Sequence, residues 1–191
     1  VSTRKAIELK PNFAEAHSNL GSILRDLGKS KEAEVSTRKA IELKPNFADA
    51  HYNLGNILRD LGKSKEAEVS TRKAIELKPN YADAHYNLGN ILRDLGKSQE
   101  AELSQRKAIE INPDFAEAHF ALGIILKDLK QRDNAIFSFD KARKLGMAYN
   151  MCQAAIGEVL LVKGNYSEGI AKCREGDGAI QFDLKHGLSI N

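Results

Sequence analysis

The chain has four prolines, Pro11, Pro45, Pro79 and Pro113, and each successive pair is 34 residues apart. A fixed period of this length constrains the fold more than composition does. A segment this short cannot bury an apolar face alone, so it must stack on copies of itself. With the register set at Ala14, the units run 14–47, 48–81, 82–115 and 116–149. The first two differ only at Glu15/Asp49, Ser18/Tyr52, Ser22/Asn56 and Phe47/Tyr81, so thirty of 34 places match.

Within a unit, Ala16, Leu20, Ile23, Leu24 and Leu27 recur at spacings of three and four. That is the stripe of an amphipathic helix with one buried face, and Gly28 ends it. Asn12, Asn46, Asn80 and Asp114 each stand three residues before a carboxylate, a pattern that predicts a capping box at the start of this helix. Ser30, Ser64, Ser98, Asp133 and Ser167 are placed to cap a second helix, whose buried stripe is Ala33, Thr37, Ala40, Ile41 and Leu43. Proline stops it, because the residue before Pro45 is pushed out of helical geometry. Glu34 with Arg38, and Glu68 with Arg72, are one turn apart and should pair on the wet side.

Each unit is therefore a pair of antiparallel helices joined by a tight turn. The 34-residue period, Leu20-Gly21, Ala33, Ala40 and Pro45, repeated as Leu54-Gly55, Ala67, Ala74 and Pro79, resembles the tetratricopeptide repeat (TPR). The resemblance implies an all-α solenoid of helix pairs forming a right-handed superhelix. The expected divisions are 1–13, the second helix of a truncated repeat; four repeats at 14–47, 48–81, 82–115 and 116–149; 150–176, a degenerate fifth repeat or cap; and 177–191, a tail or the start of a following domain. VSTRKAIELKPN at 1–12 recurs at 35–46, which is why the chain is expected to open inside a unit. The family's Trp place holds His17, His51, His85 and His119, its Tyr place Leu24, Leu58, Leu92 and Leu126, and its Phe place Thr37, Thr71, Gln105 and Phe139. The smaller, more polar choices predict a less stable array than a consensus one.

Beyond residue 145 the composition shifts, with seven of the 14 glycines between Gly146 and Gly187. In 150–176, Ile156-Gly157 stands for Leu-Gly, while Gly169 and Gly176 replace the two alanines. Glycines cost about 1 kcal/mol each relative to alanine in a helix, so the second helix here is expected to be short or frayed. The closing AIQFDLKHGLSIN alternates Ile180, Phe182 and Leu184, then Leu188 and Ile190, around Lys185-His186-Gly187, which reads as a short irregular or β-hairpin tail.

The resemblance also implies where a ligand would lie, on an inner face made by the first helix of each unit. Its columns are Glu15, Asp49, Asp83, Glu117; Ser18, Tyr52, Tyr86, Phe120; Asn19, Asn53, Asn87, Ala121; and Ser22, Asn56, Asn90, Ile124. Arg25, Arg59, Arg93, Lys127 and the adjacent Asp26, Asp60, Asp94, Asp128 complete them. Asn19, Asn53 and Asn87 are similar to the asparagine ladder of O-GlcNAc transferase type TPR arrays, which holds an extended polypeptide. An amide offers donors and an acceptor, so a row of them can pair with a peptide backbone irrespective of side chains. Each Asn could instead bind a neighbouring helix of its own array. Peptide-binding residues are thus expected among Asn19, Asn53, Asn87, Asn56, Asn90, Tyr52, Tyr86, Phe120, Arg25, Arg59, Arg93, Asp60 and Asp94. Three of the four differences between the first two units fall in these columns, as if duplicated units kept geometry and varied contacts.

Other classes find less support. Lys and Arg total 29 against 26 acidic residues, with the signs interspersed, so the net charge of +3 forms no basic stripe for nucleic acid. Four histidines one repeat apart are separated by the roughly 8–10 Å between packed helices, too far to share one metal, and no metal or cofactor is expected. No phosphate loop, nucleophile elbow or catalytic triad pattern occurs, so no enzymatic activity is expected. Two cysteines, Cys152 and Cys173, suit a reduced, cytoplasmic protein, and no apolar run is long enough for a membrane span. Alternatives are the substrate-positioning TPR arm of a larger enzyme of transferase or oxygenase type, and a homo-oligomer formed by end-to-end stacking. RNA-binding helical repeats share the helix pairing but commonly lack this Gly, Ala and Pro pattern.

Overall fold

The computed structural model describes residues 2–177, 180–183 and 187–190. They fall into two units, Val1–Lys97 and Ser98–Asn191. The first holds α1 (Ser2–Leu9), α2 (Ala14–Asp26), α3 (Ser30–Leu43), α4 (Ala48–Asp60), α5 (Ser64–Leu77) and α6 (Ala82–Asp94). The second holds α7 (Ser98–Ile111), α8 (Ala116–Asp128), α9 (Arg132–Lys144), α10 (Tyr149–Lys163), α11 (Tyr166–Asp177) and the strands β1 (Ile180–Asp183) and β2 (Gly187–Ile190). Within each unit consecutive helices pack in chain order, α2 on α3, α4 on α5, α8 on α9, α10 on α11, as the helix pairs of a TPR solenoid do.

The turns follow from the sequence. Gly28, Gly62 and Gly96 take φ of +72°, +73° and +75°, which a side chain disfavours. After α2, the N–H of Gly28 donates to Arg25 O and that of Lys29 to Leu24 O, so the last carbonyls of the helix are satisfied by a Schellman motif. Lys130 fills the same place after α8 at φ +61° without being glycine. Proline ends α3 and α5 as expected, with Lys44 and Lys78 driven to extended geometry.

The helix starts differ from expectation. α2, α4 and α8 are preceded by Phe13, Phe47 and Phe115, none with a side-chain cap, and Asn12, Asn46 and Asp114 lie one residue too early. Ser30 and Ser64 likewise sit inside α3 and α5 behind Lys29 and Lys63, and Asp133 lies inside α9. The corner is held by other means. His51 Nε2 lies 2.8 Å from Pro45 O, and His17, His85 and His119 repeat the contact with Pro11, Pro79 and Pro113. A carbonyl can only accept, so the ring nitrogen donates, bracing each first helix against the preceding proline turn.

The pairs approach closely at the Leu-Gly position. A Cβ on Gly21 would overlap Thr37 Oγ1, one on Gly55 would overlap Thr71 Oγ1, and one on Gly123 would lie 2.5 Å from the Phe139 ring. The core of the first unit is aliphatic, with Leu24, Ala33 and Ile57 in one cluster and Leu54, Leu58, Ala67 and Ile91 in another. In the second unit Phe139 joins Leu122, Leu126, Ala135, Ile156, Val159 and Leu160. α11 is neither short nor frayed but runs 12 residues against α10. Its glycines are the interface: a Cβ on Gly176 would lie 2.6 Å from Asn150 O, and one on Gly169 2.8 Å from Leu161. Close backbone contact offsets the propensity cost. β1 and β2 form an antiparallel pair with Ile180 opposite Ile190; of the expected turn Lys185-His186-Gly187, the first two residues lie outside the described residues and Gly187 opens β2.

Candidate functional site

In the first unit α4 touches both α2 and α6, and this face gathers most of the residues expected to bind. The Arg and Asp columns meet each other. Arg25 Nε donates to Asp60 Oδ2 at 2.5 Å, and Arg59 repeats this with Asp94 at 2.7 Å. Arg93 stands 3.6 Å from Asp94. These partly exposed pairs tie successive first helices together and leave little net charge for steering.

The asparagine ladder is uneven. Asn19 is exposed. Asn53 Nδ2 donates to Ser18 Oγ at 3.1 Å, a bond from α4 back to α2. Asn87, 3% exposed, instead donates to Thr71 Oγ1 at 3.5 Å, and Asn90 is 7% exposed. The difference traces to Ser18, whose place in the next repeat is taken by Tyr52. The ring of Tyr52 packs at 5.0 Å against Tyr81, tilted by 41°. Burial, then the negative charge of Asp49, raises the Tyr81 hydroxyl above its ordinary range, and burial does the same for Tyr52. Tyr81 stood outside the inner columns in the sequence. Its paired change with Asp49, against Phe47 with Glu15, was the signal that could have placed it there.

In the second unit Phe120 packs against Phe139 at 5.2 Å and is half-buried beside Ile124. Lys127, from the basic column, pairs with Glu158 of α10 at 2.8 Å.

On the other side of the helix pairs, Ile41, Leu54 and Val69 floor a hollow of about 490 Å³, beside His51 and Arg38. Its counterpart in the second unit, about 430 Å³, is lined by Ile109, Leu122 and Phe137. Among the described residues no group of three His, Cys, Asp or Glu could hold a metal ion. Cys152 and Cys173 are both buried thiols outside any disulfide, and burial raises the Cys152 thiol. No described helix is long and apolar enough to cross a membrane.

Comparison with known proteins agrees with this geometry. Models described as tetratricopeptide repeat match residues 3–35, 82–115 and 116–145, and one described as TPR repeat matches 21–62 and 55–96. No curated protein matches the sequence. Among solved structures, YrrB, described as a TPR protein with an unusual peptide-binding site, is 24% identical with a TM-score of 0.76, covering 93% of this chain and 92% of its own. MamA is 24% identical with a TM-score of 0.75, over 82% of this chain and 91% of its own. PilF of Pseudomonas aeruginosa is 23% identical with a TM-score of 0.77, over 87% of this chain and 77% of its own. At these identities the likeness speaks for the fold, and together with the family matches from residue 3 to 145 it leads to one assignment: the chain belongs to the tetratricopeptide repeat family.

Proposed function

We propose that the face built by α2, α4 and α6 binds an extended polypeptide, without chemistry of its own, as a protein-interaction scaffold. The observation that carries this reading is the amide of Asn53. One of its N–H groups is fixed by Ser18, which orients the side chain. An amide has a second N–H and a carbonyl, the pair that a peptide backbone matches. Asn19, Tyr52, Asn56 and Tyr86, exposed or half-buried, supply the surrounding surface. Asn87 and Asn90 are buried and act by holding α6 in place, as the Arg25–Asp60 and Arg59–Asp94 pairs hold the spacing. YrrB, with its peptide-binding site, supports polypeptide as the ligand class. Two buried cysteines that form no disulfide are consistent with a reducing, cytoplasmic setting.

Fluorescence anisotropy with a library of short unstructured peptides tests this. The double variant Asn19→Ala, Asn53→Ala should bind about tenfold or more weakly than the native chain, from two hydrogen bonds of about 1 kcal/mol each. Val69→Ser, on the hollow at the opposite side, should leave binding unchanged. Circular dichroism checks that both variants fold. The reverse pattern, binding lost with Val69→Ser alone, moves the site to the other face and defeats the reading.

A further inference from the structure

The four places where residues 48–81 depart from 14–47 are scattered in the sequence but continuous in the structure. In the first repeat Glu15 pairs with Lys44 at 2.8 Å, Lys44 lies over the Phe47 ring at 4.7 Å, and Ser22 bonds the carbonyl of Ser18. In the second, Asp49 is one methylene shorter, and its charge acts on the hydroxyl that Tyr81 has and Phe47 lacks. Lys78 lies over the Tyr81 ring at 4.2 Å. Tyr52, in place of Ser18, packs on Tyr81 at 5.0 Å, and Asn56, in place of Ser22, stands one turn on from Tyr52 along α4. Asp49, Tyr52 and Asn56 follow one another at spacings of three and four along one face of α4, and Tyr81 packs on Tyr52, so the four places adjoin. Asp83 stands close enough for its charge to act on both hydroxyls. Asp49 and Asp83 are exposed and, unlike Glu15, form no ion pair among the described residues.

We propose that Asp49, Tyr52, Asn56, Tyr81 and Asp83 form a subsite for a cationic side chain, lysine or arginine, of the polypeptide bound on this face. The inference rests on the polypeptide-binding reading and adds which residue the site selects. Aromatic faces attract cations through the ring quadrupole, and Lys78 already occupies one side of Tyr81 in that way. Two carboxylates that form no ion pair among the described residues add charge that an apolar or acidic side chain could not use. Both hydroxyls have raised pKa values and stay protonated at neutral pH, so the charge of the site comes from its aspartates. A guanidinium stacks on aromatic rings better than an ammonium does, so arginine should be preferred to lysine.

The test uses labelled alanine-glycine peptides with one central residue, arginine, lysine, norleucine or glutamate, titrated by anisotropy against the full chain. The native protein should bind the arginine peptide about five- to tenfold tighter than the norleucine one, with lysine between and glutamate weakest. The variant Asp49→Glu, Tyr52→Ser, Asn56→Ser, Tyr81→Phe makes the second repeat identical to the first, which this chain already folds. It should bind the arginine and norleucine peptides equally, and Asp83→Asn should weaken the preference. Equal affinity for arginine and norleucine overturns the subsite and leaves polypeptide binding intact. A preference that survives in both variants overturns it too, by locating the selectivity elsewhere. Failure to bind any of the peptides defeats both readings.

Discussion

At the scale of single residues, the least settled atom in the first unit is Thr37 Oγ1, which is buried and has no hydrogen-bond partner. Thr71, its equivalent, accepts from Asn87. The two threonines occupy the place where the family carries Phe, and each lies against a glycine on the paired helix. A buried hydroxyl without a partner costs about 1–3 kcal/mol in desolvation, while an isosteric methyl has no such cost. Thr37→Val should therefore raise the unfolding free energy by about 1 kcal/mol in urea titration. Thr71→Val should give no gain, because it strands the amide of Asn87. Equal gains at both sites would show that the Asn87 contact contributes nothing. The threonines, like the histidines in the Trp place, were legible in the sequence. Their hydrogen bonds were not, since the sequence gives no hint that Ser18 would draw Asn53 away from Thr37 while Tyr52 leaves Asn87 to Thr71.

At the scale of helices, what repeats in the sequence was legible and what depends on a neighbour was not. The period, the αL glycines and the proline stops fixed helix ends to within a residue, because each acts on its own backbone. The first-helix caps failed because Asn12, Asn46 and Asp114 fall one residue before the cap position, and the His–Pro contact braces the corner there. Glu34 and Glu68 show the same contrast. The one-turn pairs with Arg38 and Arg72 were expected and form at 2.8 and 2.9 Å, but Lys63 and Lys97 also reach them, at 2.9 Å each, joining one second helix to the turn of the next pair. Hydrogen bonding from Lys63 to Glu34, and from Lys97 to Glu68, is the main cause that lowers both carboxyl groups below the ordinary value of 4.5, against a smaller opposing effect of burial. A carboxylate with a folded value below its unfolded one contributes stability above the unfolded value and loses it as pH falls through the folded one. The stability difference between the native chain and the double variant Glu34→Gln, Glu68→Gln should thus be constant near neutral pH and shrink as pH drops below 4.5. Thermal melts across that range measure it. A difference that persists in acid would mean the loss is of packing and not of charge.

At the scale of the whole chain, stability in a repeat array is a sum of local terms and interfaces between neighbours, so its parts need not unfold together. The second unit buries Phe139 completely among Leu122, Leu126, Ile156 and Leu160, where the first unit buries Thr37 and Thr71 at the same repeat position. Burying a large apolar side chain is worth about 1.5–3 kcal/mol, more than a threonine provides. In native-state hydrogen exchange the amides of α8 and α9 should therefore be protected about tenfold or more beyond those of α2 to α5. Phe139→Thr, which gives the second unit the residue of the first, should remove most of that difference. If α2 to α5 prove equally protected, the ion pairs from Arg25 to Asp60, Arg59 to Asp94 and Lys63 to Glu34 compensate for the smaller core. Repeating the exchange at high salt would then lower protection in α2 to α5 first, since exposed pairs are screened and a buried aromatic ring is not.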